Sequence, residues 1–163
     1  MTPEQEILED ALTALRQRQQ RFAEEVAYHA QVFPLSSDSL PADTLEMRTH
    51  LAAFAKRYEM TQDQIVRRLF RSVAAVTGVS VRNRGIGQLI DSMHAIGIID
   101  DVEKWHQITR VRNELAHDYA LTLTELTTCI NEAWHFSPDL IAMIDRVDAH
   151  IAEHNLLADE NHD

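Results

Sequence analysis

One cysteine, Cys129, stands in 163 residues, which rules out an intramolecular disulfide and suits a reducing compartment. Glycine and proline are also scarce, four of each. That leaves little punctuation for the many short strands of a sandwich or barrel. Long apolar runs are missing: no stretch approaches the ~18 uninterrupted apolar residues of a membrane span. The start, Met1-Thr2-Pro3-Glu4-Gln5-Glu6, lacks the basic beginning and apolar run of a signal peptide, so a cytoplasmic location is expected. Positive charge is in deficit. A formal net charge of −11 argues against a protein that coats itself with nucleic acid indiscriminately, since phosphate binding depends on cations.

What is present is helix-forming. Ala, Leu, Glu, Arg and Ile are among the most frequent residues. The length fits one domain, expected over 1–157, with an acidic tail at 158–163. The arginines are unevenly placed: Arg67, Arg68, Arg71, Arg82, Arg84, Arg110 and Arg112 lie mid-chain, while acids crowd both ends. A local basic groove is therefore compatible with the negative total.

Hydrophobic spacing predicts a first helix over about 3–33, and Pro34 to Pro41 reads as a loop. A second helix is expected from Ala42 to Tyr58. Thr61 is a candidate N-cap for a third, Gln62 to Val76, with passage straight through Glu59-Met60 as the alternative. Val79 to Gly87 reads as a loop, Gln88 to Ala95 as a short helix, and Val102 to Asp118 as the next. A last helical region spans Thr124 to about Asn155. Ser137-Pro138 either restarts that helix or only kinks it. The expected architecture is an all-α antiparallel bundle of four to six helices.

The segment Arg112-Asn113-Glu114-Leu115-Ala116-His117-Asp118-Tyr119 carries the chemistry. Arginine is a permanent cation with a forked donor set suited to phosphate. Histidine is the side chain most readily used for proton transfer near neutral pH. Together they can hold a phosphodiester and move a proton. At about 100° per residue, Tyr119 falls nearly in line with Arg112, while Asn113 neighbours His117. Ile108, Val111 and Leu115 form an apolar seam beside that polar face. Arg112 and His117 are about 140° apart on a straight helix, so a two-fold copy of the helix is an attractive way to unite them. Structural roles stand beside these: Arg112 paired with an acidic neighbour, His117 favoured by the dipole at a helix C-terminus, Tyr119 as a half-buried aromatic.

Other features carry less. Arg67, Arg68, Arg71 and Arg110 are candidate RNA contacts, with a solvated face as the default. His150 and His154 are i,i+4, but no third metal ligand is spaced nearby. Gly85-Ile86-Gly87 lacks the strand of a dinucleotide loop. Trp105 is expected to be buried. Cys129 has no activating neighbour in sequence.

The Arg-x4-His-x-Tyr spacing resembles the signature of the HEPN superfamily, and in particular its HepT-like toxins. Leu89 to Ile99 followed by Val102-Glu103-Lys104-Trp105 is similar to the segment that group carries before its motif, and Tyr58 to Asp63 to an upstream stretch. Thr109 stands where many relatives carry a further arginine. The resemblance covers roughly residues 45–150. It implies a metal-independent, cofactor-free endoribonuclease toxin that acts as a homodimer on RNA, with no membrane association. Arg112 would hold the scissile phosphate, His117 would be the acid–base group, and Asn113 would support them. It also implies an MNT-type nucleotidyltransferase antitoxin as partner, able to transfer AMP to Tyr119. The alternative is a non-catalytic helical partner of such a nucleotidyltransferase.

Overall fold

The computed structural model describes residues 1–36, 44–80, 82–117 and 122–158. Helix α1, Pro3–His29, starts on Thr2, whose side chain accepts from the Gln5 backbone N–H while the Gln5 side chain reaches back to cap Thr2. Its buried stripe is Leu8, Ala11, Leu12, Leu15 and Phe22. The helix stops at His29, short of the expected Phe33. Phe33 turns inward instead and packs between Phe54 and Trp134.

Helix α2 begins as Leu45–Asp63, capped by Thr44. It passes through Glu59-Met60 without a break, continues as a π-helical stretch Gln64–Phe70, and finishes as Arg71–Val76. Thr61 is therefore no cap; it is buried, and its hydroxyl donates to Arg57 O. The reason is visible in the spacing. Thr61, Ile65, Leu69 and Val73, and likewise Gln62, Val66, Phe70 and Ala74, recur every four residues, and all eight are buried. An α-helix would carry such a repeat around its axis by about 40° per step. Underwinding the middle of the rod keeps both rows on the core, and such π segments recur at functional sites.

Helix α3, Ile86–Ala95, closes at Gly97 with φ +85°, where the Ile98 N–H bonds Met93 O. Helix α4, Val102–Ala116, is capped by Asp101 and buries Trp105, Ile108, Val111 and Leu115. Helix α5, Leu123–Glu153, starts on a Thr122/Glu125 capping box. It runs continuously past Pro138, so the restart at Ser137 does not occur; Ser137 lies inside the helix with its hydroxyl on Ala133 O.

The chain is thus an all-α bundle, with no strand among the described residues. One core draws on all five helices, through Leu15, Phe54, Met93, Trp105 and Ile130 among others. Helix α4 packs against α2 on one side and α5 on the other, which sets the environment of the motif. No helix among the described residues is long and apolar enough to cross a membrane.

Candidate functional site

The apolar seam of α4 locks its orientation. Trp105 is 4% exposed and meets Phe70 of the π segment with ring centroids 5.4 Å apart. The Tyr58 hydroxyl, fully buried, donates to Ile108 O at 3.2 Å. Burial first, with acidic neighbours, pushes that phenol far above its usual range, so it stays a neutral donor. Thr109, beside that buried hydroxyl's acceptor, links two helices. It accepts from Gln62 Nε2 at 3.1 Å and donates to Trp105 O, tying α4 to the buried amide of α2.

With the seam fixed, Arg112 lies over the α2 rod. Its Nη2 donates to Asp63 Oδ2 at 2.6 Å and lies 3.7 Å from Glu59 Oε1. Its Nη1 donates to Asn113 Oδ1 at 3.2 Å, so Asn113 supports the arginine directly. Glu59 and Asp63 are i,i+4 and hence share a face of α2. The other oxygen of Asp63 accepts from Arg67 Nε at 3.2 Å. The Arg112 side chain is 17% exposed, and its Nε is buried without a partner. A guanidinium has five N–H donors. Those not used on Asp63 and Asn113 are what remain for an anion.

His117 follows the last residue of α4 as its C-cap, with φ −114° and ψ 35°, and is exposed. The helix therefore ends at Ala116, two residues before the expected end at Asp118, and His117 leaves the helical path. The angle of about 140° between Arg112 and His117 holds only for a continuous helix. Tyr119 lies outside the described residues.

The remaining candidates divide. Arg67 joins the site through Asp63, and Arg68 is exposed one residue on. Arg71 donates to Arg84 O at 3.2 Å. Arg110 points away, toward α5. It is held by Glu132 at 2.9 Å and Glu114 at 3.0 Å, and those hydrogen bonds raise its already high pKa. Cys129 is buried, and desolvation followed by a hydrogen bond to Glu114 pushes its thiol up to about 12, which keeps it un-ionised. His150 and His154 stack at 4.1 Å. Desolvation, then the neighbouring ring, lowers the His150 pKa. Among the described residues no group of three or more His, Cys, Asp or Glu is arranged to hold a metal ion.

Glu59 and Asp63 went unassigned from the sequence. Their signal is the i,i+4 acid pair within the Tyr58–Asp63 stretch, which spacing alone does not connect to a helix 49 residues away. Because Arg112, Glu59 and Asp63 are largely shielded, their coupling should be measurable. In a double-mutant cycle of Asp63→Asn and Arg112→Met, we expect a coupling of about 1 kcal/mol, between surface and buried ion-pair values. Strictly additive losses on urea unfolding would remove the pair from any structural role.

No family model matches the chain, and no curated protein or solved structure is detectably similar to it.

Proposed function

We propose that the chain is a metal-independent endoribonuclease of the HEPN, HepT-like type, working as a homodimer with RNA at a composite site. The observation that carries this reading is the Arg112 guanidinium held by Asp63, Glu59 and Asn113 at the end of α4 where His117 follows. Fixing Nη1 on Asn113 and Nη2 on Asp63 pre-orients the guanidinium, and the second hydrogen on each of those nitrogens is left for a phosphodiester, so little reorganisation is needed as charge develops. His117 takes the proton of a ribose 2′-hydroxyl as that oxygen attacks phosphorus. The P–O5′ bond breaks, and the departing oxygen takes a proton from the second copy's motif histidine, leaving a 2′,3′-cyclic phosphate. Arg112 stabilises the phosphorane charge. An MNT-type nucleotidyltransferase antitoxin would silence the toxin by transferring AMP from ATP to Tyr119 with release of pyrophosphate, adding bulk and negative charge two residues after His117 in sequence. These assignments place the protein in the cytoplasm.

The same contacts favour a second reading. A side chain only 17% exposed and already facing two carboxylates also suits a structural strut. The chain would then be a non-catalytic partner that presents Tyr119 to the nucleotidyltransferase. Incubating the purified protein with RNA of mixed sequence separates the two. Cleavage that falls about 10²–10⁴-fold in His117→Ala supports catalysis by the motif. Equal cleavage by parent and variant, or none by either while Tyr119 still becomes AMP-modified beside the partner, supports the second reading.

A further inference from the structure

Beyond Arg112, the arginines of this acidic chain differ in how they are satisfied. Arg16, Arg57, Arg67, Arg110 and Arg146 each meet a carboxylate. Arg68 and Arg82 are exposed, and neither forms an ion pair among the described residues. Their neighbours draw them into one patch. Arg71, about one turn beyond Arg68, donates to Arg84 O at 3.2 Å. Arg84 in turn donates to Ser92 Oγ at 2.9 Å, which stretches its side chain along α3. Asn83, with φ +62°, makes the turn between Arg82 and Arg84. The result is an open recess of about 470 Å³ lined by Ser80, Arg82, Asn83, Arg84, Gln88 and Asp91. Its one acid, Asp91, is exposed and lies 3.9 Å from His106.

This patch is continuous with the motif. Arg112 and Arg67 share Asp63, Arg68 follows Arg67, and Arg71 reaches the recess. Arg68, Arg82 and Arg84 form no carboxylate pair among the described residues, and holding such guanidinium groups near one another costs repulsion that an incoming polyanion relieves. Net charge of −11 makes such a patch a local exception rather than part of a general basic surface.

We propose that Arg68, Arg71, Arg82 and Arg84 form a phosphate track that carries the RNA strand away from Arg112 toward the start of α3. The inference rests on the ribonuclease reading for its ligand, and it names the part of the substrate beyond the scissile bond. Arg67 and Arg110, both matched by carboxylates, are not in the track. Contacts of this kind are electrostatic and sequence-independent, and each phosphate neutralised on a single strand contributes about −0.7 to the slope of log affinity against log salt.

The test uses the full chain carrying His117→Ala, so that RNA survives, with a fluorescein-labelled 20-nucleotide single strand read by anisotropy at several salt concentrations. Adding Arg68→Gln and Arg82→Gln should weaken binding about tenfold at low salt and flatten the salt slope by ~1.4. In the protein with His117 intact, the same two substitutions should leave kcat on a dinucleotide unchanged and raise KM on the 20-mer. RNA binding that requires Arg112 but ignores Arg68 and Arg82 overturns the track and leaves the ribonuclease reading standing. Binding that follows Arg68 and Arg82 without any cleavage by the parent keeps the track and removes the ribonuclease. No RNA binding, with retention of a poly-glutamate peptide instead, overturns the track in favour of an acidic protein partner.

Discussion

If the chain is the ribonuclease proposed, Arg112→Lys should lose RNA cleavage almost as fully as Arg112→Ala, by about 10²–10³-fold in kcat. The expectation follows from how the guanidinium is held. Nη2 is 2.6 Å from Asp63 and Nη1 is 3.2 Å from Asn113. Two edges of a rigid fork can serve the protein and a phosphate at once. A lysine ammonium is a single point on a flexible stem. Placed beside Glu59 and Asp63, it would settle between the two carboxylates and present nothing in a fixed direction to phosphorus. Initial rates on a labelled oligoribonucleotide check this, with melting temperatures run alongside. The lysine variant should melt close to the parent because the charge pair survives. Retention of more than about a third of the parental rate would mean that charge alone is required and the fork geometry is idle.

Trp105→Ala should be among the most damaging single changes to stability, at about 3–5 kcal/mol. The indole is 4% exposed, packs on Phe70 at 5.4 Å, and sits where α4 meets the π segment. Truncation removes its apolar burial and leaves a cavity under the helix that carries Arg112. In a chain of this length each kcal/mol moves the melting temperature by roughly 2–4 °C, so a fall of about 10 °C is expected. Trp105→Phe keeps most of the volume and should cost less than half as much. A fall of under about 3 °C in the alanine variant would show that α4 is held mainly by Tyr58, Thr109 and the Arg112 carboxylates. Since α4 positions Arg112, the proposed ribonuclease reading also expects slower RNA cleavage by the variant below its melting temperature.

How much could be read in advance differs by element. The Thr122 and Glu125 box that opens α5 begins ahead of the expected start at Thr124; the start of α1 was legible because its signal is local, Pro3 being suited to a first helical turn. The seam Trp105, Ile108, Val111 and Leu115 was legible for the same reason, through one helical period. The continuity of α2 past Thr61 stayed open in the sequence because a threonine before an apolar stretch is a valid cap signal. The competing signal was the four-residue repeat from Thr61 to Ala74, which only makes sense when both rows are buried at once. At Pro138 the local rule against interior proline lost to the packing of Phe136, Leu140, Met143 and Ile144 on either side of it. Of the site, Arg112, Asn113 and His117 were nameable, and the basic residues of the middle were visible as a group. Which arginines are quenched was not, because Glu132 and Asp63 come from other helices.

Composition and short-range spacing suffice for the helical class, the buried seam of α4, and the presence of Arg112 and His117 at its end. These depend on interactions within a turn or two, which the order of residues encodes directly. Tertiary packing alone decided that Arg112 is gripped by Glu59 and Asp63, that Arg110 is turned to α5 while Arg68 and Arg82 meet no carboxylate among the described residues, and that α2 is underwound at its centre. Each of these is settled by contacts between helices far apart in sequence, where burial of a whole face outweighs the preference of any single residue.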